Sequence, residues 1–160
     1  MFAPAAAFGP IITEYQIMKS PLVLATLASV FLLGAAPAAF ADAVVAVSLT
    51  GDSTEMNGMG LKLDTPVVKA GTITFKVTND ALVEPHEMVV VKAPETGDLP
   101  YNAKKRRVVE SKLKSMGEIG DLKPGAAKDL SLKLAPGKYV LLCNIAGHYM
   151  AGMQAPFTVE

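Results

Sequence analysis

The stretch Thr72-Ile73-Thr74-Phe75-Lys76-Val77-Thr78 alternates apolar and polar residues without a slip. In an extended chain neighbouring side chains point to opposite faces, so Ile73, Phe75 and Val77 form one apolar face, a pattern that no helix buries on one side. Asp129-Leu130-Ser131-Leu132-Lys133-Leu134 repeats it, as does the C-terminal segment Ala155 to Glu160 through Phe157 and Val159. Valine-rich Ala43 to Thr50, the apolar run Met88-Val89-Val90-Val91 and the segment Lys138 to Cys143 read as further strands, with shorter ones at Leu61 to Leu63, Val67-Val68 and Gly117 to Leu122. Turn chemistry separates them at Asp64-Thr65-Pro66, Lys69-Ala70-Gly71, Lys123-Pro124-Gly125 and Ala135-Pro136-Gly137. Short strands with turns roughly every eight to twelve residues predict an all-β sandwich or barrel of about seven to eight strands. The 101–116 region departs from this pattern. There Val109, Leu113 and Met116 recur at near-helical spacing behind Asn102, which predicts one short helix capped by that asparagine.

A chain of 160 residues needs only one domain. Its N-terminus reads as an export leader over residues 1–41: Met18-Lys19-Ser20 starts it, Leu22 to Leu33 is the apolar core, and Ala39-Phe40-Ala41 is a small-x-small cleavage site. The apolar run is too short for the ~20 residues of a membrane span, so no stable membrane insertion is expected after cleavage. Residues 1–17 precede the signal awkwardly, and Met18 is the natural initiator. The mature domain, residues 42–160, is then expected in the periplasm, or in the thylakoid lumen if the source is a phototroph. Formal net charge is zero and only 19% of residues are charged, which excludes nucleic acid as the expected partner.

Chemistry concentrates in Cys143-Asn144-Ile145-Ala146-Gly147-His148-Tyr149-Met150-Ala151-Gly152-Met153. Thiol, imidazole and thioether together are the soft and borderline donors that select copper over magnesium or calcium. Cys143 is the only cysteine, and the chain has just two histidines, His148 and the distant His86. A lone thiol in an oxidising compartment has no internal disulfide partner, and a metal would occupy it. If Tyr139 and Leu141 are core residues, period-two alternation turns the Cys143 sulfur inward. Gly147 and Gly152 immediately precede His148 and Met153, and glycine lets the backbone bend both side chains back toward one point.

With its isolated histidine at a strand start, followed by Cys-x-x-x-x-His-x-x-x-x-Met near the C-terminus, the chain resembles the cupredoxins, the blue-copper family of plastocyanin, azurin, auracyanin and rusticyanin. The resemblance covers nearly all of residues 42–160 and implies a Greek-key β-sandwich holding one type 1 copper ion. By the family pattern Cys143 is the thiolate, His86 and His148 the imidazoles, and Met153 the weak axial thioether, with Met150 as the competing one. Many cupredoxins place Asn directly after the first histidine, where it ties the ligand loops together, but this chain has Glu87. Either that carboxylate lies near the metal or it is an ordinary strand-edge charge.

Four protein ligands leave no open coordination position, which implies a monomeric carrier of single electrons between a donor and an acceptor protein. His148 would be the electron port, with Met59, Pro85 and Met150 around it. The alternative is a periplasmic copper carrier or copper-resistance protein using the same ligands. An oxidase or nitrite reductase needs further histidine-built copper sites, and none remain for one. A zinc site seldom recruits a thioether. The run Lys104-Lys105-Arg106-Arg107 is ordinarily a solvated face, its alternative being to steer an acidic redox partner.

Overall fold

A computed structural model describes residues 42–52, 58–93 and 99–160. The leader read at residues 1–41 lies outside the described residues. Among the described residues eleven strands follow one another: β1 Ala43–Thr50, β2 Gly60–Leu63, β3 Val67–Val68, β4 Gly71–Asn79, β5 His86–Lys92, β6 Tyr101–Asn102, β7 Arg107–Val108, β8 Lys114–Leu122, β9 Ala127–Leu134, β10 Gly137–Leu142 and β11 Gln154–Val159. Eight of them have four or more residues, in line with the seven to eight expected, and β3, β6 and β7 are two-residue pieces. No helix among the described residues is long and apolar enough to cross a membrane.

Two sheets share the work. One runs β2-β1-β4-β9, the other β3-β11-β10-β5-β8, and β6-β7 form a separate hairpin. Most pairings are antiparallel, but β1 lies parallel to β4 and β3 parallel to β11, so the sheets are mixed. The alternation seen in the sequence is what faces the core. Ile73, Phe75 and Val77 of β4 are buried against Met88, Val90, Leu141 and Phe157 from the other sheet. Phe75 and Phe157 meet edge to face across the sandwich at 5.3 Å between ring centres, the geometry that aromatic quadrupoles favour.

Strands β5 and β10 are buried on both faces. Met88, Val90, Tyr139 and Leu141 enter the main core, while Val89, Val91, Val140 and Leu142 join Leu99, Val108 and Tyr149 in a second cluster. The segment from Leu99 to Leu113 therefore roofs the outer face of the larger sheet. This is where the structure corrects the sequence reading. The helix expected there with Asn102 as its cap is instead the β6–β7 hairpin followed by a single 3₁₀ turn, Glu110–Lys112. Asn102 Oδ1 does accept the backbone N–H of Lys105 at 3.0 Å, as a helix cap would, but it closes a hairpin turn.

Replacing Phe157 by alanine removes one half of the aromatic contact at the centre of the sandwich. Chemical denaturation is expected to show a loss of about 3–5 kcal/mol, with no comparable loss for a substitution at exposed Val67.

Candidate metal centre

Strands β5 and β10 run antiparallel, so the start of one and the end of the other lie at the same end of the sandwich. His86 opens β5 with the inward parity of Met88 and Val90, and it is fully buried. Cys143 follows β10 with the inward parity of Tyr139 and Leu141, and it too is fully buried. A shift in the β5–β8 register between His86 and Met88 accompanies the histidine, as bulges often do where a side chain is re-aimed. Met153 stands opposite Cys143, whose N–H donates to the Met153 carbonyl at 3.0 Å. The loop between them folds on itself in tight turns, with Gly147 and Gly152 at φ of 97° and 105°, a region favourable to glycine alone.

These elements bring three of the expected side chains together. One nitrogen from each of His86 and His148 and the Cys143 sulfur lie within 4.8 Å of one another, all in buried residues. The two Nδ1 atoms are 3.2 Å apart, and the sulfur is 3.5 Å from His148 Nδ1. His86 Nε2 lies 2.9 Å from the Gly51 carbonyl. Donation to that oxygen places the ring proton on Nε2 and leaves the Nδ1 lone pair facing the cluster. His148 Nε2 is 3.5 Å from the Glu84 carboxylate. Met153 is fully buried next in the chain to the last strand, whereas Met150 is 66% exposed.

Burial sets the electrostatics. It pushes the Cys143 thiol up to about 11, against backbone N–H groups of Glu87 and Ile145 that lower it. The metal-free sulfur is thus protonated at neutral pH, and a cation that binds it must release that proton. Burial likewise lowers His148, helped by His86, Arg106 and Arg107 and opposed by Glu84. The His148 ring is therefore available as a neutral donor.

Several supporting residues carry no signal in the sequence. The Asp52 carboxylate accepts backbone N–H groups of Leu82, Val83 and Glu84 at 3.1, 2.9 and 2.9 Å, and buried Asn79 donates to the carbonyls of Glu84 and Leu122. Together they fix the loop that leads into His86. Glu87 is not a free edge charge, and its carboxylate lies close enough to the Cys143 thiol to help raise it. Its Oε1 accepts the N–H of Asn144 at 2.9 Å, joining the first ligand strand to the cysteine loop where many cupredoxins use Asn. Buried Asn144 in turn accepts from Val108 N–H at 2.6 Å and donates to the Val108 carbonyl and Glu110. Burial holds the Glu87 carboxyl above its ordinary value, with Glu110 adding to the effect.

Removing the acceptor at Glu87 leaves a buried N–H unpaired. Glu87→Ala is expected to cost about 1–3 kcal/mol in chemical denaturation, and Glu87→Gln, which keeps a carbonyl oxygen, to recover most of it. A second outcome concerns pH. Between the ordinary value of 9.0 and about 11 the unfolded thiol ionises while the folded one keeps its proton. The unfolded state then binds fewer protons, so stability falls as pH rises through that window, by about 2–3 kcal/mol. Denaturation of the metal-free protein at pH 8 and pH 11 should show that component, and Cys143→Ala should lack it.

No family model matches the sequence, and no curated protein is similar to it. Solved structures are similar in shape. Auracyanin from the photosynthetic bacterium Roseiflexus castenholzii is 20% identical over 76% of this chain and 99% of its own, with a TM-score of 0.50. Rusticyanin from Thiobacillus ferrooxidans is 14% identical over 74% and 77%, with a TM-score of 0.55. Another rusticyanin structure, described as that of a copper protein, reaches 0.57 at 14% identity over 74% and 78%. The strand order, the two-sheet core and these likenesses together give the chain the cupredoxin fold.

Proposed function

We propose that the protein holds one type 1 copper ion and carries single electrons between redox proteins. The observation that carries this reading is the buried convergence of two imidazole Nδ1 atoms and one cysteine sulfur at the end of a rigid sandwich. The donors fit the metal: a thiolate and two imidazoles are the trigonal set of blue-copper sites, and a buried thioether completes it. His86, Cys143 and His148 would hold the copper, with buried Met153 as the thioether donor. Bound there, copper supplies a one-electron couple between Cu(I) and Cu(II).

The chain's own residues keep that exchange cheap in reorganisation. The Gly51 carbonyl fixes the His86 ring, Asp52 and Asn79 fix its loop, and the Glu87–Asn144 bond locks the two ligand segments together. Donor atoms held this way stay in place in either oxidation state. His148 is the one ligand with access to solvent, at 8% exposure, and it serves as the electron port. Exposed Met150 borders it, and exposed Leu82 and Val83 lie on the loop that bears Glu84, the neighbour of His148. Both histidines of the chain are used in this site, which leaves no second copper centre for an oxidase or reductase and makes this a carrier, not an enzyme. Copper carriage without electron transfer would need open access to the metal, and the burial of all three donors disfavours it. The leader sequence supports work outside the cytoplasm.

Adding Cu(II) to the purified protein should produce an intense visible band from thiolate-to-copper charge transfer; a colourless complex would sink the proposal. Cys143→Ser should abolish the band. Met153→Leu should keep the colour and raise the reduction potential measured by voltammetry, whereas Met150→Leu should change neither. An unchanged potential in Met153→Leu would move the axial role elsewhere.

A further inference from the structure

The hairpin β6–β7 carries the run Lys104-Lys105-Arg106-Arg107 across its turn and into β7, and all four residues are exposed. With Lys112 and Lys114, residues 104–114 hold six basic side chains against one acidic, Glu110, in a chain whose net charge is zero. The rest of the chain is therefore acidic by the same amount, and this segment is a concentrated positive pole. Among the described residues no ion pair engages any of the six.

The fold puts that pole against the electron port. Gly147, next to His148, donates its N–H to the Arg106 carbonyl at 2.7 Å, and a Cβ at Gly147 would run into the Arg106 guanidinium. Arg106, Met59, Gly147, His148 and Met150 line one cleft of about 400 Å³. The hairpin is not free to swing away, because Val108 is bonded twice to the Asn144 side chain and Tyr101 stacks on Tyr149 at 6.0 Å. Arg106 itself has a φ of 52°, a left-handed conformation that favours Gly or Asn and is unfavourable for a long side chain. Its guanidinium lies over Gly147 and lines the same cleft as the His148 imidazole.

Carboxylates are also nearby. Glu84, Glu87 and Glu110 are each partly buried; Glu84 faces His148, while Glu87 and Glu110 are turned to Asn144. What the surface presents outward is the cations. We propose that the β6–β7 hairpin is the docking element for a redox partner with a carboxylate-rich protein surface, seating that partner over His148; this rests on the electron-carrier reading above. Exposed charges around a port raise the encounter rate and orient the pair, an effect that salt removes.

The test uses reduced plant-type ferredoxin, an acidic iron–sulfur protein whose low potential makes electron delivery downhill. One electron leaves the cluster and converts Cu(II) to Cu(I), with no proton transferred. Stopped-flow rates with the copper-loaded protein should fall as salt is raised. Lys104→Glu/Lys105→Glu, which alters neither ligands nor their hydrogen bonds, should slow the reaction about tenfold at low ionic strength, and the difference should vanish near 1 M salt, where screening acts within roughly 3 Å. The visible band should be unchanged, and the basic protein ferrocytochrome c should react faster with the variant. Equal rates for variant and wild type with ferredoxin would overturn the proposal. So would an equal slowing with the small anion hexacyanoferrate, which would make the hairpin an anion attractor and not a protein dock. In the copper-free protein, oxidised ferredoxin should shift the amide resonances of residues 101–108 and His148. That result stands whether or not the visible band forms, and its absence overturns the docking surface alone.

Discussion

A cysteine sulfur with no exposure to water is the constraint that the rest of this end of the molecule answers to. Ionised without a cation it would be unaffordable in free energy, and protonated it is inert. For the proposed copper to bind there, the surroundings have to admit a cation while excluding water, which calls for polar groups that are themselves buried and fully partnered. That is what the fold supplies. Gly51, Asp52, Asn79 and Glu87 hold the ligand-bearing loops and the His86 ring, and Asn144 ties the cysteine loop to the β6–β7 hairpin. Among the described residues no buried side-chain nitrogen or oxygen lacks a partner. Such a network fixes geometry more than it adds stability, since each bond replaces one that water would have made.

The sandwich was largely legible in the sequence because its signal is local. Ile73, Phe75 and Val77 declare their face within seven residues, and the parity of Tyr139, Leu141 and Cys143 follows from the same rule. What could not be read was whatever is settled across long separations. Asp52 looks like a turn residue, yet its carboxylate acts on backbone some thirty residues away. The 101–116 region failed for a related reason. Asn102 makes the same local bond in a hairpin turn as at a helix cap, and Ala, Lys and Arg favour helix. Asn144, thirty-six residues on, decides the matter by pairing with Val108. Glu87 belongs here too, since a carboxylate after a ligand histidine gives no hint that its partner is a backbone N–H in another loop.

Low identity to rusticyanin and auracyanin alongside a shared fold is what this division of labour would produce. Core strands need alternating apolar residues of suitable volume, and many sequences satisfy that. Only the side chains that converge at one end are chemically irreplaceable, and they number a handful.

The hydrogen bonds from Asn144 and Gly147 to the hairpin change what counts as a transferable unit. If the segment from Cys143 to Met153 were grafted onto another sandwich, Asn144 would arrive without Val108 and Glu110, and Gly147 without the Arg106 carbonyl. The loop would carry Cys143, His148 and Met153 but not His86, and it would lack its own foundation. In this protein the loop, the start of β5 with His86 and Glu87, and residues 101–110 are three segments distant in sequence that have to be moved, or to evolve, as one.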